Sequence, residues 1–209
     1  GDCCLLKRAN RNILEQLRPP VDGVVNSGRA LVMPIWADSY ERASPPALTP
    51  DANADREQRD ALLWHQDLSR TLDYLESRAD IDAQKAGYLG ISGGASNIGP
   101  IALAIEGRLK TGVLIAAGVE HEPGIHPMID AVNYAPRIRV PVLMVNGRFD
   151  HYYLYAQSQQ RLFDLLGTPT NQKSHKVYDV GHFENTRSNS IAMDVSDWFD
   201  KYLGVVQLR

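Results

Sequence analysis

Short apolar runs alternate along the chain with longer stretches in which apolar residues recur every three or four positions. Ala30–Ile35 (ALVMPI), Ala86–Ile91 (AGYLGI), Thr111–Ala116 (TGVLIA), Val140–Val145 (VPVLMV) and Ser174–Tyr178 (SHKVY) have the length of strands. Arg59–Arg78 puts Ala61, Leu68, Leu72 and Leu75 on one helical face. Further helices are expected over Ala95–Ile105, Ala156–Leu166 and Asn189–Leu203, the last burying Ile191, Val195, Trp198, Phe199 and Leu203. Strands in alternation with helices pair in parallel through right-handed crossovers. The apolar runs are nearly unbroken, as in strands covered on both faces. The predicted fold is therefore α/β, with a mostly parallel sheet between two helical layers. Ser44–Asn53 (SPPALTPDAN) carries three prolines and is expected as a surface loop. The first residues lack the pattern, so the expected organisation is an irregular N-terminal segment with a helix near Asn10–Leu17 (residues 1–27), then a core over residues 28–209.

The 209 residues, 44% of them hydrophobic, suffice for one domain with a sizeable core. A formal net charge of −3 and the lack of a basic stripe argue against a nucleic-acid partner. No apolar run has the length of a bilayer span. No charged leader followed by an apolar core opens the chain, so the expected location is cytoplasmic. The only cysteines, Cys3 and Cys4, are neighbours and provide no disulfide framework. Glu120, His121, Glu122 and His126 share a loop without regular ligand spacing, so no metal and no cofactor is expected.

In sheets of this kind ligands bind beyond the carboxyl ends of the strands. Past Ile91 stands Ser92, within Gly90-Ile91-Ser92-Gly93-Gly94, a G-x-S-x-G pattern between a strand and a helix. Such an elbow holds a serine in a strained conformation at a helix N-terminus. There the Gly93 N–H and the helix dipole can stabilise an oxyanion. Bulk at Gly90 or Gly94 is expected to clash as strand and helix close up. Past Val145 comes Asp150, and past Tyr178 comes His182. A serine hydroxyl needs a base to become a nucleophile, and the base needs an orienting acceptor. Singly, these are a turn serine, a turn aspartate and a surface histidine. In this order, each past a strand end, they form a serine–acid–histidine set. Trp36, Tyr40 and His151 are candidates for the substrate pocket, while Ser96 is expected as a capping or packing hydroxyl.

From Gly28 to Leu203 the chain resembles α/β-hydrolases of the prolyl-oligopeptidase and dienelactone-hydrolase-like group, in "YLGISGG", "VPVLMVNGRFD", "FDLLGTP" and "VYDVGHF". Dienelactone hydrolases proper use cysteine at the elbow and dehalogenase relatives aspartate, so Ser92 favours the serine esterase or peptidase branch. The resemblance implies a serine hydrolase acting on a carboxylic ester or small amide through an acyl-enzyme, with a small ester or peptide-like molecule as partner.

One segment departs from the group. The strand beside the nucleophile strand should lie upstream of the helix near Asn10–Leu17, and its exit loop normally supplies the second oxyanion donor. What stands there is "GDCCLLKRAN". A sheet lacking its N-terminal strands is therefore expected, with unpaired edges that favour homo-oligomers. Two other readings stay open: a weak or inactive hydrolase-fold fragment acting as a binding module, and the catalytic part of a larger peptidase.

Overall fold

The computed structural model describes residues 18–43, 45, 49–119, 126–182 and 188–206. In chain order these hold α1 (Arg18–Asn26), α2 (Pro50–Glu76), β1 (Gly87–Ile91), α3 (Gly99–Ile105), β2 (Thr111–Ile115), β3 (Val142–Gly147), α4 (Gln160–Leu165), β4 (Lys173–Tyr178) and α5 (Asn189–Leu203). A π-helical turn leads into α3 (Gly94–Ile98) and another into α4 (Tyr155–Gln159). The expected helix at Asn10–Leu17 and the stretch Cys3–Leu6 lie outside the described residues.

The four strands pair in parallel, in the order β1-β2-β3-β4. Alternate side chains go to opposite faces, as the period of a strand requires. Tyr88, Leu114, Val142 and Met144 join one apolar cluster with Leu68 and Leu72 of α2, Ala102 and Leu103 of α3 and Leu162 of α4. Val113, Ile115, Leu143 and Val145 join another with Val24 of α1 and Ile191, Val195, Trp198 and Phe199 of α5. This is the expected three-layer sandwich. Central strands β2 and β3 are buried throughout, whereas β4 is half-buried and carries Lys173 and Lys176, charges typical of a strand at a sheet edge.

Two elements differ from expectation. Ala30–Ile35 is not a strand: it has no regular secondary structure, and Val32, Met33 and Ile35 are 39%, 46% and 48% exposed. Among the described residues no strand lies beside β1 on its outer edge. An apolar run becomes a strand only where a neighbour takes up its backbone hydrogen bonds. The run is tethered instead at its ends, Arg29 donating to Asp200 (2.6 Å) and the Gly204 carbonyl (2.7 Å), and the Ala37 N–H to Asp67 (2.9 Å). The second difference is α2, which begins at Pro50, inside the stretch expected as a loop. Proline suits a first helical turn, where its missing N–H would have had no partner.

The register aligns the carboxyl ends. Ile91 lies opposite Ile115, Ile115 opposite Val145, and Gly147 opposite Tyr178. Whatever follows these residues emerges along one rim of the sheet.

Candidate active site

Ser92 is the first residue past β1. Its N–H donates to the Ile115 carbonyl (2.9 Å), carrying the ladder one residue further. Its own carbonyl accepts from the N–H groups of Ala95 and Ser96 at 2.8 Å, so the next turn is already helical. A chain that leaves a strand and enters a helix across one residue must bend sharply there. Ser92 accordingly has φ +53°, a left-handed conformation that costs a non-glycine residue about 1–3 kcal/mol.

Gly90 makes the bend possible. A Cβ at this position would stand 2.5 Å from the Gly94 carbonyl oxygen and 2.8 Å from its carbon. Gly94 does not share that role, contrary to expectation: a Cβ there would meet only the Tyr88 Oη, at 4.0 Å. The helix turns the Gly94 hydrogens outward and its carbonyl inward, so the crowding falls on Gly90 alone. The Tyr88 hydroxyl donates to that carbonyl at 2.6 Å. Burial pushes the Tyr88 phenol well above its ordinary pKa, keeping it a donor.

The chain past β3 is bound to the chain past β4. Arg148 N–H donates to the Tyr178 carbonyl (2.7 Å) and Phe149 N–H to Val180 (3.0 Å). This brings Asp150 and His182 together, the carboxylate Oδ2 lying 2.7 Å from the imidazole Nδ1. The other ring nitrogen, Nε2, lies 2.8 Å from the Ser92 Oγ. Ser92, Asp150 and His182 are 7%, 2% and 3% exposed. A carboxylate only accepts, so Nδ1 carries the proton and Nε2 presents its lone pair to the serine. The remaining oxygen, Asp150 Oδ1, accepts from the N–H groups of Tyr152 (2.9 Å) and Tyr153 (3.0 Å). Gly93 follows Ser92 in helical conformation (φ −54°, ψ −35°) at the head of the helix.

His151 is exposed, with its ring 6.4 Å from that of His182. Trp36 is half-buried against the cluster that holds Leu68, Tyr88 and Ala95. Tyr40 lies in the loop between Ala30–Ile35 and α2, with φ +49°. Ser96 is buried, and its Oγ accepts from the Gly118 N–H at 3.1 Å. Glu120, His121 and Glu122 lie outside the described residues. His126 Nδ1 accepts from the Met128 N–H. No group of three or more potential metal ligands occurs among the described residues.

A buried polar layer beneath the rim escaped the sequence reading. Gln159 donates to the carbonyls of Gly147 (2.8 Å) and Tyr153 (2.7 Å), bracketing Asp150, while its own Oε1 is buried without a partner among the described residues. Asn146 donates to Ala117 (2.8 Å) and lies 3.0 Å from His175 Nε2. The place of Asn146 just after an apolar run was a signal for it, whereas Gln159 stands in the polar stretch Gln157–Arg161 and gave none.

No protein-family model matches the sequence, and no curated protein does. Solved structures do match. A cold-adapted esterase from an Arctic intertidal metagenomic library is 27% identical with a TM-score of 0.59, over 73% of this chain and 65% of that one. The chain thus spans less than two thirds of that esterase's length. The Pyrococcus furiosus esterase Pf2001 is 15% identical with a TM-score of 0.70, over 96% of this chain and 82% of that one. The fold is that of the α/β-hydrolases. An acylaminoacyl peptidase shares it at 15% identity and a TM-score of 0.58, over 76% of this chain and 30% of the peptidase. Ser92 occupies the turn between β1 and the helix that follows it. Among the described residues no helix is long and apolar enough to cross a membrane.

Proposed function

We propose that this chain is a serine hydrolase that cleaves a carboxylic ester or small amide through an acyl-enzyme. The observation that carries the reading is the unbroken line of hydrogen bonds Ser92 Oγ–His182–Asp150, at 2.8 Å and 2.7 Å, from a serine held at φ +53°. Ser92 Oγ attacks the carbonyl carbon while its proton passes to His182 Nε2. The carbonyl oxygen becomes an oxyanion and accepts from the Gly93 N–H. The bond from carbon to the leaving oxygen or nitrogen then breaks, and His182 returns the proton to that atom. Water repeats the sequence on the acyl-enzyme, releasing the acid and restoring Ser92. Asp150, held by two backbone N–H groups, keeps the imidazole in the tautomer this needs.

Ser92→Ala is expected to abolish labelling by a fluorophosphonate probe and hydrolysis of p-nitrophenyl acetate, with an unchanged circular-dichroism spectrum. Asp150→Asn is expected to lower turnover by about 10²–10⁴-fold through loss of the tautomer. Labelling of Ser92→Ala equal to that of the parent would remove the serine from this role.

A further inference from the structure

The chain past β3 reads Phe149-Asp150-His151-Tyr152-Tyr153-Leu154-Tyr155. Asp150 and Tyr153 are buried, but Phe149, Tyr152, Leu154 and Tyr155 are 66%, 45%, 47% and 37% exposed. Grouped apolar exposure of this kind on a folded domain marks a binding surface. Its placement is specific. The Tyr152 ring meets the His182 ring edge-on, centroids 4.9 Å apart at 63°. His151 lies 4.2 Å from Tyr152 and 6.4 Å from His182. Two exposed rings therefore border the imidazole that faces Ser92.

The chemistry says which half of a substrate would lie there. Ser92 Oγ bonds to the acyl carbon, and the acyl oxygen is directed to the Gly93 N–H. His182 Nε2 must come within hydrogen-bond reach of the leaving oxygen to protonate it as the carbon–oxygen bond breaks. Whatever that oxygen carries is brought against the surface bordering His182. Beside the rings the charged groups are Arg148, which lies over the Tyr155 ring (5.9 Å) and pairs with Asp179 (2.8 Å), and the buried Asp150; the groups in ring contact with His182 itself are aromatic. A planar apolar ring can take the edge-to-face and offset contacts that exposed aromatic rings offer.

Resting on the hydrolase reading above, we propose that His151 and Tyr152 form a leaving-group platform selective for esters whose alcohol carries an aromatic ring. Tyr152 has two parts in this. Its N–H holds Asp150, which any side chain would leave in place, and its ring meets the alcohol.

The test compares kcat/KM for benzyl acetate and ethyl acetate, which share an acyl group, in the parent, Tyr152→Ala and Tyr152→Phe. The benzyl-to-ethyl ratio should fall about tenfold in Tyr152→Ala and stay within about twofold of the parent in Tyr152→Phe. An unchanged ratio in Tyr152→Ala overturns the proposal, because the ring would then serve only to position His182. So does a fall confined to the ratio of ethyl phenylacetate to ethyl acetate, which would place the rings on the acyl side. Benzyl alcohol titrated into the protein supplies a readout without turnover. It should shift the ring-proton resonances of His151 and Tyr152, and bind several-fold more weakly to Tyr152→Ala. If the parent cleaves neither ester yet binds benzyl alcohol in this way, the hydrolase reading and the leaving-group role fall together, and only an aromatic-binding surface at His151 and Tyr152 stands. Absence of those shifts overturns the platform itself.

Discussion

Gly90 and Gly94 flank Ser92 symmetrically in sequence and asymmetrically in space, so alanine at the two positions should act with opposite sign. At Gly90 the new methyl would have to be accommodated 2.5 Å from the Gly94 oxygen and 2.8 Å from both the Gly94 carbonyl carbon and Tyr88 Cε1. Relief requires a shift of several tenths of an ångström or more. Two of the three obstructing atoms are backbone, in the first turn of the helix that Ser92 opens. Overpacking of this kind costs about 1–3 kcal/mol, and the rigidity of helix backbone places Gly90→Ala at the upper end, about 3 kcal/mol. For a chain of this size that lowers the melting temperature by roughly 6–12 °C. The displaced elbow also moves Ser92 away from His182, so fluorophosphonate labelling should slow with it. Gly94→Ala meets only a hydroxyl at 4.0 Å and lies in a helical turn. Replacing glycine by alanine there gains about 0.5–1 kcal/mol, or roughly 1–4 °C. Thermal unfolding of both variants, with labelling rates at a temperature where both are folded, decides the matter. A loss in Gly94→Ala equal to that in Gly90→Ala would refute the steric account of the elbow.

Other outcomes follow from the layer beneath the rim. Burial lowers the His175 pKa from its ordinary 6.5 to about 4; as pH falls through that window the unfolded chain takes up a proton that the folded chain refuses, so stability should fall too. Urea unfolding between pH 7 and pH 4 should show this, and His175→Gln should flatten the dependence; an unchanged slope would mean that other groups set it. Gln159→Met removes the donor to the Gly147 and Tyr153 carbonyls together with an Oε1 that has no partner among the described residues. Turnover should drop about tenfold through a loosened Asp150 while stability changes by no more than about 1–2 kcal/mol; full activity would show that the Asp150 turn holds itself. Tyr88→Phe removes the 2.6 Å hydrogen bond to Gly94 and should destabilise by about 1–2 kcal/mol in chemical unfolding; no measurable loss would show that the hydroxyl does not brace the elbow.

Much of this molecule follows from local pattern. The runs at Gly87–Ile91, Thr111–Ile115 and Val142–Gly147, and the helical face of Asn189–Leu203, are legible because a strand covered on both faces and a helix packed on one leave different periods in the chain. The order Ser92, Asp150, His182 is legible for the same reason: each residue follows a run whose end marks one rim of a parallel sheet. Three things belonged to the tertiary structure. Ala30–Ile35 has the composition of a strand, but a strand is a relation between two chain segments, and its own residues cannot supply the neighbour. Gly90 and Gly94 look equivalent until the helix direction decides that one carbonyl points at the other residue's Cα. The N–H groups of Tyr152 and Tyr153 and the amide of Gln159 act within the connection after β3, through a turn geometry that residue types alone do not fix. The rings beside His182 meet it from another loop, a contact that leaves no period in a sequence because it arises only when the sheet's register brings separate loops to one edge.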